Sequence, residues 1–261
     1  MKTVLLIGAG GGMGSACARL LFEEGYDVIG LDRVGACVPD GVRFVSVDVT
    51  DPTSVAAAAA SVRNVRLYAI VYMAGIYDTD SLIEIDEQRF LNIFEINVFG
   101  AYRCIKAFVP LLEQNGRVVL VTSELAPLDP LPFTGLYGIT KGTLEQYAFS
   151  LAMELQLLGI SVSVIRPGAV RTPLLNRSVE RIESFTANTA HYPNQAERFL
   201  TVTNRVESKS IPPEAIAKTL STILRAKHPR FLYKRNANPL LKLYGILPKR
   251  LKLLAIKTYL K

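Results

Sequence analysis

The chain has 261 residues, 49% apolar and 20% charged, with 30 Lys and Arg against 23 Asp and Glu. That length and apolar share suit one domain with a sizeable core and exclude a disordered chain. Three widely spaced cysteines, Cys17, Cys37 and Cys104, form no Cys-x-x-Cys pair. They argue against a disulfide scaffold or a zinc site and are expected as buried thiols in a reducing, cytoplasmic setting.

Taken in chain order, apolar and β-branched runs predict strands over 3–7, 27–31, 42–47, 67–73, 117–122 and 161–165. Helical spacing predicts helices over 13–24, 52–62, 86–114 and 136–158. Near-continuous apolar strands alternating with helices imply a doubly wound, parallel α/β sheet covered on both faces. The link from Asp32 to Val42 is too short and too rich in Gly and Pro for a full helix. The stretch 173–211 is polar and irregular, the expectation being a substrate lid. A helix is expected from Pro212-Pro213, and the tail from Asn236 is expected as one or two short amphipathic helices around Pro239 and Pro248. The catalytic unit is thus expected over 1–235, and the tail over 236–261.

The opening apolar run breaks into glycines too early for a secretion signal, and no uncharged stretch approaches the ~20 residues of a bilayer span. Charge is unevenly spread. Residues 215–261 hold 12 Lys and Arg and no acid, whereas 1–214 hold 18 against 23. The net +7 therefore belongs to the tail, and with no aromatic stacking platform beside it a nucleic-acid partner is not expected.

The first strand runs into Gly8-Ala9-Gly10-Gly11-Gly12-Met13-Gly14, and a helix follows. Glycines in that place permit a tight turn and let backbone N–H groups approach a pyrophosphate at a helix N-terminus. Asp32 closes the second strand 18 residues after Gly14. A carboxylate there accepts ribose hydroxyls of an adenine nucleotide and repels a 2′-phosphate. The neighbouring Arg33 is suited to stacking on adenine or to pairing with such a phosphate.

The pattern Tyr-x-x-x-Lys occurs twice, as Tyr102/Lys106 and Tyr137/Lys141. Position separates them. Tyr137 lies 14 residues after Ser123, which ends a strand at the carboxyl edge of the sheet, where α/β folds build their sites. Tyr102 lies within a long amphipathic helix and is expected as a decoy, part packing and part surface.

The glycine spacing Gly8-x3-Gly12-x-Gly14 resembles that of the short-chain dehydrogenase/reductase family, and further motifs agree in order as far as residue 233. Asp48-Val49-Thr50 resembles its acidic step after the third strand, which holds the adenine ring. Ala74-Gly75 resembles the end of its Asn-Asn-Ala-Gly motif, with Tyr72-Met73 replacing the Asn pair. Asn97-Val98-Phe99-Gly100 resembles its helix-four asparagine. Ser123, Tyr137 and Lys141 resemble its catalytic set, and Pro167-Gly168-Ala169-Val170-Arg171-Thr172-Pro173 its nicotinamide segment. Ile7 stands where the family often has Thr.

The resemblance implies a Rossmann fold, long helices paired into a homodimer or homotetramer, and oxidoreductase chemistry. Tyr137 would be the general acid/base, its pKa lowered by the Lys141 ammonium one turn away and by an oxidised nicotinamide. Ser123 would orient the reacting oxygen, Lys141 would also hold the nicotinamide ribose, and Asn97 would hold a relay water. Pro167, Gly168, Val170 and Thr172 would meet the carboxamide through backbone amides and the threonine hydroxyl. Gly8, Gly11, Gly12, Met13, Gly14, Asp32, Arg33, Asp48, Val49, Ala74 and Gly75 would hold the rest of the dinucleotide. Asp32, with Gly10 and Gly11 where phosphate-preferring members often carry a basic residue, implies NAD rather than NADP. His191 and His228 are isolated, and no metal site is expected.

The expected function is an NAD-dependent interconversion of a secondary alcohol and a ketone on an apolar, steroid- or lipid-like molecule. The alternative is a catalytically silent nucleotide sensor. The basic tail leaves three options open: packing on the body, covering the cleft, or peripheral contact with an anionic membrane surface.

Overall fold

The computed structural model describes residues 1–35 and 37–261, the side chains of residues 205–207 aside. One seven-stranded parallel sheet runs in the order β3-β2-β1-β4-β5-β6-β7. Its strands are β1 (Thr3–Ile7), β2 (Asp27–Asp32), β3 (Arg43–Ser46), β4 (Leu67–Tyr72), β5 (Leu112–Val121), β6 (Ser161–Pro167) and β7 (Leu232–Arg235). The sequence order reverses between β1 and β4, which opens a crevice beyond the carboxyl ends of those strands.

Side chains alternate across the strands and feed two cores. Leu5 and Ile7 on β1, with Ile70 and Tyr72 on β4, face a layer that includes Val55, Ile105, Phe108, Leu144 and Ala148. These come from α2 (Pro52–Ser61), α4 (Gly100–Phe108) and α5 (Gly135–Leu155). Val4, Leu6, Ala69 and Val71 face the other layer, with Cys17, Leu21, Leu220 and Ile223 from α1 (Gly12–Glu23) and α8 (Glu214–Arg225). The doubly wound α/β sheet expected from the strand pattern is therefore present.

Four expectations need correction. The helix expected over 86–114 is broken into α3 (Glu87–Phe94), a π-helical turn over Glu95–Phe99 and α4, and residue 112 already begins β5. The stretch expected to be irregular over 173–211 is mostly helical, as α6 (Pro173–Asn188) and α7 (Pro193–Glu207). The buried Ser178, Ile182 and Phe185 of α6 lie at helical spacing among charged residues, a stripe too narrow to stand out in a polar segment. Strand β7 was not expected; its Leu-Tyr-Lys-Arg sequence is that of a half-exposed edge. Cys37 is exposed, whereas Cys17 and Cys104 are buried.

Among the described residues no helix lies between β2 and β3, as the short Gly- and Pro-rich link implied; residue 36 of that link lies outside the described residues. The tail forms α9 (Pro239–Ile246) and α10 (Lys249–Leu260). A third small core joins Phe133, Ile182, Phe185, Phe199 and Leu260, so lid and tail pack on each other. No helix among the described residues is long and apolar enough to cross a membrane.

Candidate active site

The glycine turn leaves β1 in a geometry that side chains obstruct. Gly8 has φ +90°, and a Cβ there would lie 2.6 Å from the Ala74 nitrogen. A Cβ on Gly14 would lie 2.0 Å from the Gly8 carbonyl oxygen, so helix and turn meet backbone to backbone. A Cβ on Gly12 would meet Thr172 at 2.9 Å, which brings the turn against the 167–173 segment. No side chain caps α1, and the first-turn N–H groups of a helix have no partner within it. An uncapped, glycine-lined helix start fits a pyrophosphate.

Asp32 lies at the rim of this turn. Its carboxylate accepts the Gly10 N–H at 2.9 Å and the Arg33 N–H at 2.7 Å. A carboxylate offers about four lone-pair positions, so two contacts leave room for ribose hydroxyls. Asp48 accepts from the Thr50 N–H and hydroxyl, and the hydroxyl bond above all holds its carboxyl below the usual range. The adjoining Val49 is buried, and its carbonyl accepts from Arg103 at 3.4 Å.

One wall of an apolar cavity of about 240 Å³ is made by Ser123, Tyr137 and Lys141. Met13, Gly75, Pro167, Gly168, Val170 and Thr172 line the same space, and Leu174, Phe199 and Leu241 close it from lid and tail. The Ser123 hydroxyl lies beside the Tyr137 phenol and accepts the Leu125 N–H at 3.2 Å, and the Tyr77 ring packs 4.8 Å from that of Tyr137. Lys141 donates to the Val121 carbonyl at 3.3 Å, and its nitrogen lies 5.8 Å from the centre of the Tyr137 ring.

Burial sets the protonation of both groups. It pushes the Tyr137 phenol up to about 12, against the lowering effect of the Ser123 hydrogen bond. It pushes the Lys141 ammonium down to about 8. In the chain without a nicotinamide, desolvation of the phenolate sets the direction; the lowering expected from Lys141 together with an oxidised nicotinamide concerns the loaded site.

Asn97 is fully buried within the π-helical turn. Its Oδ1 accepts the Ile76 N–H at 2.8 Å, and its Nδ2 donates to the Ile76 carbonyl and to Thr140 Oγ1 at 3.0 and 3.1 Å. It thus braces the loop after β4 against α5. The Gly168 N–H donates to the Arg235 carbonyl at 2.8 Å. That amide is engaged with β7, while Pro167, Gly168, Val170 and Thr172 all line the cavity. The Thr172 hydroxyl donates to the Val170 carbonyl at 3.3 Å. Tyr102 and Lys106 are hydrogen-bonded at 3.1 Å on an exposed face, away from the cavity, as the decoy reading implied. His191 and His228 are exposed.

Sequence reasoning missed several supporting groups. Tyr72, standing where the family has Asn, is fully buried and donates to the Ile96 carbonyl at 2.7 Å, which holds the π-helical turn. Glu145, one turn beyond Lys141, pairs with Arg166 and accepts from Thr122 at 3.2 Å. Its spacing from Lys141 was the available signal. Glu124 lines the cavity, accepts the Asn238 N–H at 2.7 Å and is pushed up by burial. No pattern in the sequence marks it.

A family profile described as short chain dehydrogenase matches residues 2–183. Human 17-beta-hydroxysteroid dehydrogenase type 1 is 31% identical over 204 residues, covering 77% of this chain and 62% of the relative, so the chain spans less than two thirds of that protein. Human retinol dehydrogenase 5 is 30% identical over 256 residues, covering 88% of this chain and 79% of the relative. A short-chain dehydrogenase structure from Streptomyces avermitilis superposes with a TM-score of 0.77 at 27% identity, covering 98% and 96% of the two chains. The glycine turn, the crevice and these matches agree, and the chain belongs to the short-chain dehydrogenase/reductase family of NAD(P)-dependent oxidoreductases acting on alcohols and ketones.

Proposed function

We propose that the protein transfers a hydride between NAD(H) and a secondary alcohol or ketone on an apolar, steroid- or lipid-like small molecule. The observation that carries this reading is an apolar cavity in which the adjacent Ser123 and Tyr137 side chains and the buried Lys141 meet the glycine turn and the 167–173 segment. When bound, the nicotinamide supplies or accepts the hydride. Tyr137 takes the proton of the alcohol, or donates it to the ketone. Ser123 fixes the same oxygen. The Lys141 ammonium favours the phenolate, as does any further positive charge brought into the cavity. Asn97 and Thr140 hold the loop after β4 and α5 in register, and a relay water beside Lys141 belongs to this reading.

The apolar lining from Leu125, Leu131, Leu174, Leu175, Phe199 and Leu241 supports the substrate class. Relatives named for a steroid and for retinol point the same way. Asp32 supports NAD, since its charge opposes a 2′-phosphate. Phe99 at the end of the π-helical turn, Tyr102 on α4, and Phe149 and Met153 on α5 are exposed, and they support pairing into a homodimer or homotetramer. Three free thiols suit a cytoplasmic setting.

The test follows nicotinamide absorbance across a panel of secondary alcohols with NAD and with NADP, for the wild type, Tyr137→Phe and Asp32→Ser. The phenylalanine variant is expected to lose about 10²–10⁴-fold in rate while still binding NAD. The serine variant is expected to gain NADP use relative to NAD. A wild type that binds NAD and turns over no alcohol or ketone would establish the sensor reading instead.

A further inference from the structure

Folding of the tail leaves an outer face that none of the described residues covers. The inner side of α10 is anchored: Lys252, buried, donates to Asp129 Oδ2 and to the Gly245 carbonyl, each at 2.9 Å, and Leu260 joins the lid core. The start of α9 is anchored through the Asn238 N–H on Glu124. One side of α9 puts Leu241 into the cavity wall. The other side presents Leu240, Leu243 and Ile246, which are 72%, 58% and 78% exposed. On α10, Leu253 and Leu254 are likewise 72% and 59% exposed. Among them stand the exposed cations Lys242, Lys249, Arg250 and Lys257.

We infer that this face of α9 and α10 is a docking surface for an anionic lipid bilayer. Three arguments select that occupant. The exposed leucine-class side chains come at helical spacing on a folded element, as in helices that lie in a membrane interface. Residues 215–261 hold no acid; Asp129 from the body pairs with Lys252 and acts on Lys249, and Lys242, Arg250 and Lys257 still leave the face net positive, which complements negative headgroups. A second copy of the chain is disfavoured by the same charge, because an isologous contact would set cations against cations. The exposed α4–α5 face differs in this respect, since Glu95 pairs there with Arg103. With Leu241 on the cavity side of the docking helix, bilayer contact brings the substrate cavity to the lipid.

The test is flotation of the full-length protein, without substrate, on phosphatidylcholine vesicles and on vesicles also containing phosphatidylserine, at low and high salt. Binding is expected only to the anionic vesicles and is expected to fall with salt. Lys249→Gln with Arg250→Gln should weaken it on the order of 30-fold, taking one headgroup attraction per cation. Leu243→Asp with Ile246→Asp should abolish it without moving the thermal midpoint, because both side chains are exposed. The inference is overturned if the wild type ignores anionic vesicles at low salt, or if the aspartates leave binding intact. It is also overturned if the protein binds an RNA homopolymer more tightly than the vesicles, or self-associates through this face without lipid. Turnover of the secondary-alcohol panel without vesicles checks the oxidoreductase reading separately, so the two can fail independently.

Discussion

Replacing Lys141 by Met should make the protein more stable at neutral pH while removing its activity. The ammonium lies on α5 with 5% of its residue surface exposed, and burial lowers its pKa from 10.5 to about 8. The unfolded chain therefore holds the proton more tightly than the folded one between those values. Below about pH 8 the folded state carries the full desolvation cost, roughly 3 kcal/mol at 1.36 kcal/mol per pKa unit. As pH rises towards 10.5 that cost disappears, because both states become neutral. Against it stands the bond from Nζ to the Val121 carbonyl, 3.3 Å long and contributing about 1 kcal/mol. The variant should then gain about 2 kcal/mol at pH 7, or roughly 4–6 °C in Tm, and lose about 1 kcal/mol near pH 10.5. Thermal or urea unfolding of both proteins across pH 6.5–10.5 measures the difference. A variant less stable at pH 7, or a difference that does not change with pH, would refute the idea that the fold pays a penalty to hold this cation.

Two further substitutions probe the frame around that lysine. Gly14→Ala places a Cβ 2.0 Å from the Gly8 carbonyl, so the turn must shift; it should cost about 1–3 kcal/mol and weaken NAD binding at least tenfold, read by calorimetric titration. Glu145→Gln leaves Arg166 charged in a site where the two side chains are only 10% and 14% exposed; it should cost about 3–5 kcal/mol in urea unfolding, and adding Arg166→Met should restore most of that.

Much of this architecture was legible in the sequence because it depends on local patterning. The six apolar runs alternate with helical spacing, and the glycines, Asp32 and Ser123 mark strand ends by their order alone. What escaped depends on contacts between distant segments. Strand β7 is half-exposed and becomes a strand only by pairing with β6. The π-helical turn is held by Tyr72 and Asn97, neither of which announces an extra residue in a helix. The lid helices bury an apolar stripe against Phe133, which lies 40 residues upstream of the start of α6. The burial of the Tyr137 phenol escaped for the same reason. A lysine one turn away is visible in the sequence, but the burial that pushes the phenol up belongs to the closed cavity.

The pieces found only in three dimensions explain how the visible ones are held. Tyr137, Thr140, Lys141 and Glu145 fall on one face of α5, at intervals of three, one and four residues. Each meets a different part of the sheet's carboxyl edge. Tyr137 meets Ser123 just after β5, and Thr140 meets Asn97, which in turn holds the loop after β4. Lys141 meets the last residue of β5, and Glu145 meets Thr122 beside it and Arg166 on β6. Two turns of one helix thus fix three strand ends relative to a single phenol. The helix can carry the cost of a buried ammonium at its middle because the Glu145–Arg166 pair on one side and the Asn97 amide on the other hold it to the sheet. A proton donor positioned this way is set by the sheet edge rather than by a loop, which is the condition for catalysis by fixed geometry.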